Sequence, residues 1–193
     1  MKKLTTSDLL SLEEYDKSRE EIKKNLLLHK KNRSVKIGDH VLLLFEDYET
    51  IKYQVQEMLR IEKIFKEKDI QEEIDAYESL IPDGNNLKAT MLIMYTDVNQ
   101  RKIMLNKLCD LENSVWLSIN NSEKVFAISD EDLERSRDEK TSAVHFLRFQ
   151  LSDIDKKSFK ETDHITIGID HKEYNYKTEL QRDTASCLAK DLD

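Results

Sequence analysis

Histidine and carboxylate placement is where this sequence comes nearest to chemistry. Of its five histidines, three directly follow an aspartate: Asp39-His40, Asp163-His164 and Asp170-His171. Neighbouring residues of a strand point to opposite faces, so such a pair does not chelate one ion by itself. His145 differs, because it shares the phase of Leu147 and Phe149 in an alternating run and is expected to point inward. An inward imidazole needs a hydrogen-bond partner or a metal, since an unsatisfied buried polar group is costly. If the strand that ends at Asp170-His171 lies beside it, His145 and His171 could share a site, with Asp170 or Glu57 adding a carboxylate. Two imidazoles and a carboxylate suit Zn or Fe(II). A satisfied core histidine is the plainer reading. Glu161-x-x-His164 echoes half of a di-iron site, but such sites need that spacing on facing helices, and here it precedes a strand.

A second constellation is Tyr53, Glu57 and Arg60, at i, i+4 and i+7 of a helical segment. An arginine oriented by Glu57 could present its planar fork to a carboxylate or phosphate, which makes a small-anion or metabolite binder one reading. A surface ion pair worth a few tenths of a kcal/mol is the alternative. Lys30, Lys31, Arg33 and Lys36 read as cations at a helix C-terminus, favoured there by the helix dipole, or else as an anion patch. Cys109 and Cys187 form no C-x-x-C pair and read as reduced thiols packed as small hydrophobes. Asp110 and Glu112 beside Cys109 oppose thiolate formation. With three glycines there is no phosphate-cradling loop, and neither a zinc-protease motif nor a nucleophile elbow is present.

These residues must be positioned by elements that the patterning suggests in turn. Ser11 with Glu14 forms a capping box, opening a helix to about Asn32 along Leu12, Tyr15, Ile22, Leu26 and His29. Strands at 35–37 and 40–46 flank Gly38-Asp39, a type II′ pair. Asp47 caps a second long helix with Ile51, Val55, Met58, Ile61 and Phe65 as its stripe. Asp69 opens a third, which ends at Ile81-Pro82-Asp83-Gly84 in a type I turn. A central strand at 87–96 is followed by a helix at 99–111. Next comes a hairpin of 114–119 and 124–128 around Asn120-Asn121. A short charged helix over 130–137, strands at 143–151, 165–169 and 174–180, and a helix at 182–192 complete the chain. Hairpins beside separate helices predict a single α+β domain, residues 1–193, with a largely antiparallel sheet and long helices packed beside it.

The 193 residues are 38% hydrophobic and 36% charged, with a formal net charge of −8. Such acidity repels phosphate backbones, so nucleic acid is not an expected partner. No run approaches the roughly 18 apolar residues of a membrane span, and no signal peptide is evident, which points to the cytoplasm.

Several strings are familiar: Leu9 to Tyr15, Leu44 to Asp47, Gln56 to Glu62, Leu80 to Thr90, Glu139 to Phe149 and Gly168 to His171. Together they resemble a bacterial domain-of-unknown-function family, number thirty-five-oh-one, over nearly the whole chain. The resemblance implies one domain and carries over no catalytic residue. It also implies gene neighbours, rubrerythrin and a cysteine-rich iron–sulfur oxidoreductase, and hence a role near iron, peroxide or low-potential electron transfer. Two separated cysteines do not supply the four thiolates of an iron–sulfur cluster. The leading expectation is therefore a non-catalytic accessory of that redox system. A metal-binding protein or enzyme near His145 and His171, holding Fe or Zn, and an anion binder using Arg60 are the rivals.

Overall fold

The computed structural model describes residues 2–131, 135 and 140–193. Helix α1 (Leu12–Lys31) starts at the Ser11 capping box, with Glu14 returning the bond. Strands β1 (Ser34–Ile37) and β2 (Val41–Glu46) follow, then α2 (Tyr48–Glu62), capped by Asp47 Oδ1 on Thr50 N–H. After α3 (Glu67–Glu78) come β3 (Asn86–Ile93), α4 (Val98–Lys107) and a 3-10 turn at Leu111–Ser114. The remainder is β4 (Val115–Ile119), β5 (Val125–Phe126), β6 (Ile128–Ser129), β7 (Val144–Gln150), α5 (Asp153–Glu161), β8 (Ile165–His171), β9 (Tyr174–Glu179) and α6 (Arg182–Leu188).

The fold is α+β and its strand pairing is antiparallel, but the strands divide into two sheets, ordered β1-β2-β3-β7-β6 and β5-β4-β8-β9. The expected central strand is central: β3 lies between β2 and β7. Alternation then does the packing. Val41, Leu43 and Phe45 of β2, Leu147 and Phe149 of β7, and Ile165, Ile167 and Ile169 of β8 all enter one buried cluster drawn from both sheets. Each such side chain contributes roughly 1.5–3 kcal/mol by leaving water. The chain itself joins the sheets, because β5 belongs to one and β6 to the other. Buried Ala127 between them donates its N–H to Val115 O at 2.8 Å. A second, smaller core of Leu4, Ile51, Val55, Leu59 and Ile74 holds the helical layer of α2 and α3.

Several local expectations change. The β1–β2 loop has three residues, Gly38 to His40, since Ile37 pairs with Val41; Gly38 does adopt positive φ (+61°). The Asn120-Asn121 turn forms with both φ positive (54° and 60°) and Ser122 N–H on Ile119 O at 2.9 Å. At Pro82-Asp83-Gly84 the closing bond runs from Asn85 N–H to Asp83 Oδ1, and Gly84 pairs with Leu192. Helix α2 stops at Glu62 with Lys63 left-handed, which leaves Ile61 and Phe65 exposed rather than buried. The C-terminal helix ends at Leu188 and tightens into a 3-10 turn. Helix α5 was not anticipated, although Ser152 and Asp155 form its capping box. The charged stretch 130–137, read as a short helix, falls largely outside the described residues. Among the described residues no helix is long and apolar enough to cross a membrane.

Candidate functional site

His145 is fully buried on β7, as its phase required. Its Nδ1 meets Asp130 Oδ2 at 2.5 Å. Asp130 is itself pinned to β7: its N–H donates to Phe146 O (2.8 Å) and its Oδ1 accepts Phe146 N–H (2.9 Å). Its φ of 46° lets the chain leave β6 and turn the carboxylate toward the ring. Arg135 Nε lies 3.2 Å from Asp130 Oδ1, with the guanidinium over the Phe146 ring. On the other side of the imidazole, Nε2 faces Thr141 Oγ1 at 2.8 Å, Ser142 O at 3.0 Å and Glu112 Oε2 at 3.7 Å. Thr141 Oγ1 donates to Glu112 Oε2 at 3.1 Å. Glu112, Asp130 and His145 each offer an atom within 4.8 Å of the others.

The order hydroxyl, imidazole, carboxylate is that of a hydrolase triad. Its burial is not. Thr141 is 1% exposed and its hydroxyl is directed at Glu112, so it presents no nucleophile to a substrate.

The structure does not join His145 with Asp170 and His171. Strands β7 and β8 lie in different sheets. His171 Nε2 meets Cys109 O at 3.0 Å and its Nδ1 accepts Glu173 N–H, so the ring is satisfied in a single tautomer. Asp170 accepts from Trp116 Nε1 (2.8 Å) and Lys124 Nζ (2.5 Å), and the Lys124 bond holds its carboxyl below the usual range. His145 instead gathers Glu112, Asp130 and Thr141, which sequence reasoning had not assembled.

Glu57 and Arg60 do approach, with Arg60 Nε 3.5 Å from Glu57 Oε1, but Glu57 orients a different arginine. Arg19 of α1 grips it through Nε (2.7 Å) and a terminal nitrogen (2.9 Å), and Tyr15 Oη donates at 2.6 Å. The Arg19 bonds hold the Glu57 carboxyl down at about 2, against the opposing effect of burial. Burial and the bond to Glu57 push the Tyr15 hydroxyl up. Beside this clamp, α1 and α2 leave a cleft of about 420 Å³. Tyr15, Ile22 and Leu26 give it an apolar wall, and Asn25, Lys52 and Tyr53 add polar groups.

Arg33 is neither a helix-end cation nor part of an anion patch. It is 2% exposed and donates to Phe45 O and Glu46 O, both at 3.0 Å. It also pairs with Asp191 and lies 3.3 Å from Asp47 Oδ2. Burial opposes its charge, yet the Asp191 bond and the field of Asp47 hold the guanidinium above its ordinary value. His29, on the cleft wall, meets the same Asp47 Oδ2 at 2.6 Å.

No curated protein matches the chain. A crystal structure of a protein of unknown function from Burkholderia pseudomallei K96243 is similar throughout, with 49% identity, a TM-score of 0.94 and all of both chains covered. The family model described as "Protein of unknown function (DUF3501)" matches residues 3–192. The strings that suggested this family at the outset thus sit inside a match of nearly full length, and the chain belongs to it.

Proposed function

We propose that this protein is a non-catalytic accessory of a redox system, and that it receives its partner at the cleft between α1 and α2. The cleft carries the reading. At about 420 Å³ it falls in the size range of small binding sites, and it combines an apolar wall with a few polar groups. Helix α1 also leaves Leu27 and Leu28 more than half exposed, which suits a surface that meets another protein. The groups with catalytic character, Thr141 and His145, are sealed in the interior. The partner class, rubrerythrin or an iron–sulfur oxidoreductase, comes from the family resemblance.

Anaerobic affinity purification of the tagged chain at near-native levels tests both parts. Recovery of either redox protein by the wild type, and its loss with Tyr53→Ala, is the expected result. Recovery of neither by a folded wild type overturns the partnership. Undiminished recovery by a folded Tyr53→Ala variant overturns the cleft.

A further inference from the structure

We propose that His145 Nε2, Glu112, Thr141 Oγ1 and the Ser142 carbonyl form a closed binding site for one divalent transition-metal ion. Asp130 stands outside the site and holds the ring. The inference is independent of the α1–α2 cleft.

It starts from the bonding of the imidazole. A neutral ring carries one N–H. Asp130 lies against Nδ1, and its other oxygen already faces Phe146 N–H and Arg135. The Nδ1 proton therefore belongs to that bond. Nε2 is then left with a lone pair, and it faces the Ser142 carbonyl, which can only accept, at 3.0 Å. The Thr141 hydroxyl, 2.8 Å from Nε2, has a single proton to share between Nε2 and Glu112 Oε2, and the Ser142 carbonyl has none to give. A cation among these acceptors, a second proton or a metal ion, would satisfy all of them at once.

The spacing accommodates the ion. Ligand atoms bound at about 2.1 Å stand about 3.0 Å apart at the right angles of an octahedron and about 3.4 Å apart in a tetrahedron. The three oxygens stand 2.8, 3.0 and 3.7 Å from Nε2, which brackets those separations. Carboxylate, imidazole and metal in line is also the usual way a ligating histidine is oriented, and Asp130 on Nδ1 supplies its outer half. One imidazole nitrogen among oxygen donors selects an ion of the Zn, Fe(II) or Mn(II) class rather than a thiophilic one. Burial of His145, Glu112 and Thr141 makes the site closed and its ion structural.

The test uses the full chain, stripped with a chelator and titrated with Co(II) as a visible probe. The expected result is one equivalent bound, with ligand-field bands and a rise in melting temperature. Glu112→Gln is expected to weaken Co(II) at least tenfold, and Asp130→Asn about 10–100-fold while leaving every ligand in place. Replacing the exposed histidine in His164→Gln leaves binding unchanged. If Glu112→Gln fails to fold, Thr141→Val takes its place with the same expectation. A folded, stripped protein that shows neither bands nor a melting shift with Co(II), Zn(II) or Mn(II) overturns the proposal and assigns the proton to Nε2. Undiminished affinity in the folded Glu112 or Thr141 variant overturns the ligand set.

Discussion

Glu57 accepts hydrogen bonds from two side chains of another helix, Tyr15 and Arg19, with Arg60 Nε a further 3.5 Å ion-pair neighbour. Its carboxyl is held near 2 in the folded state, against an ordinary value of 4.5. The stabilisation is thus complete above about pH 4.5 and is lost as the pH falls through the folded value, because only the unfolded chain takes up the proton in between. Glu57→Gln is expected to lower stability at neutral pH and to flatten its dependence between about pH 4.5 and 2. Urea unfolding followed across that window checks both. The i, i+3 spacing made Glu57 and Arg60 legible in sequence, while the stronger contact to Arg19, 38 residues away, left no local trace. His145 is the reverse case. Its inward direction followed from strand phase, but Asp130 and Glu112 reach it from 15 and 33 positions upstream, and only the fold sets such separations.

Single elements were the most legible level. The Ser11 and Asp47 caps, the alternation of β7 and β8 and the Asn120-Asn121 turn each rest on local chemistry, and each formed. Helix α5 went unread because its Ser152 capping box opens only nine residues, with Lys156 and Phe159 its buried side chains, too short for periodicity to declare itself. The division into two sheets was hidden for another reason: an alternating strand looks the same in either. The seam where those sheets meet supports a prediction. A Cβ on Gly38 would lie 2.6 Å from Tyr174 Oη and 2.8 Å from the Tyr176 ring, at a φ that side chains rarely adopt. That hydroxyl donates to Ile37 O and accepts His40 N–H. Gly38→Ala is expected to cost about 1–3 kcal/mol, read as a lower denaturation midpoint.

At the scale of the whole molecule, the Arg33 cluster ties α1, the start of α2 and the C-terminal segment together. Removing one partner of a buried pair is costly, about 3–5 kcal/mol, because the remaining charge stays in the interior. Asp47 still faces Arg33 when Asp191 is removed, so Asp191→Ala belongs at the lower end, about 3 kcal/mol. For a chain of this length that is roughly 6–12 °C in melting temperature by calorimetry. Replacing Arg33 and Asp191 together with apolar residues of similar volume is expected to be much milder.

The same pair spans 158 positions of chain. Contacts of such separation form late, after local hairpins and helices have shortened the loop to be closed. Before Asp191 arrives, Arg33 can meet only the nearby Phe45 and Glu46 carbonyls and the Asp47 carboxylate, and Asp191 completes its set of partners. Its pairing with Asp191 is where the helical layer and the tail of the chain are tied to the sheets, so a probe at that pair reports completion of the native structure rather than formation of any single helix or hairpin.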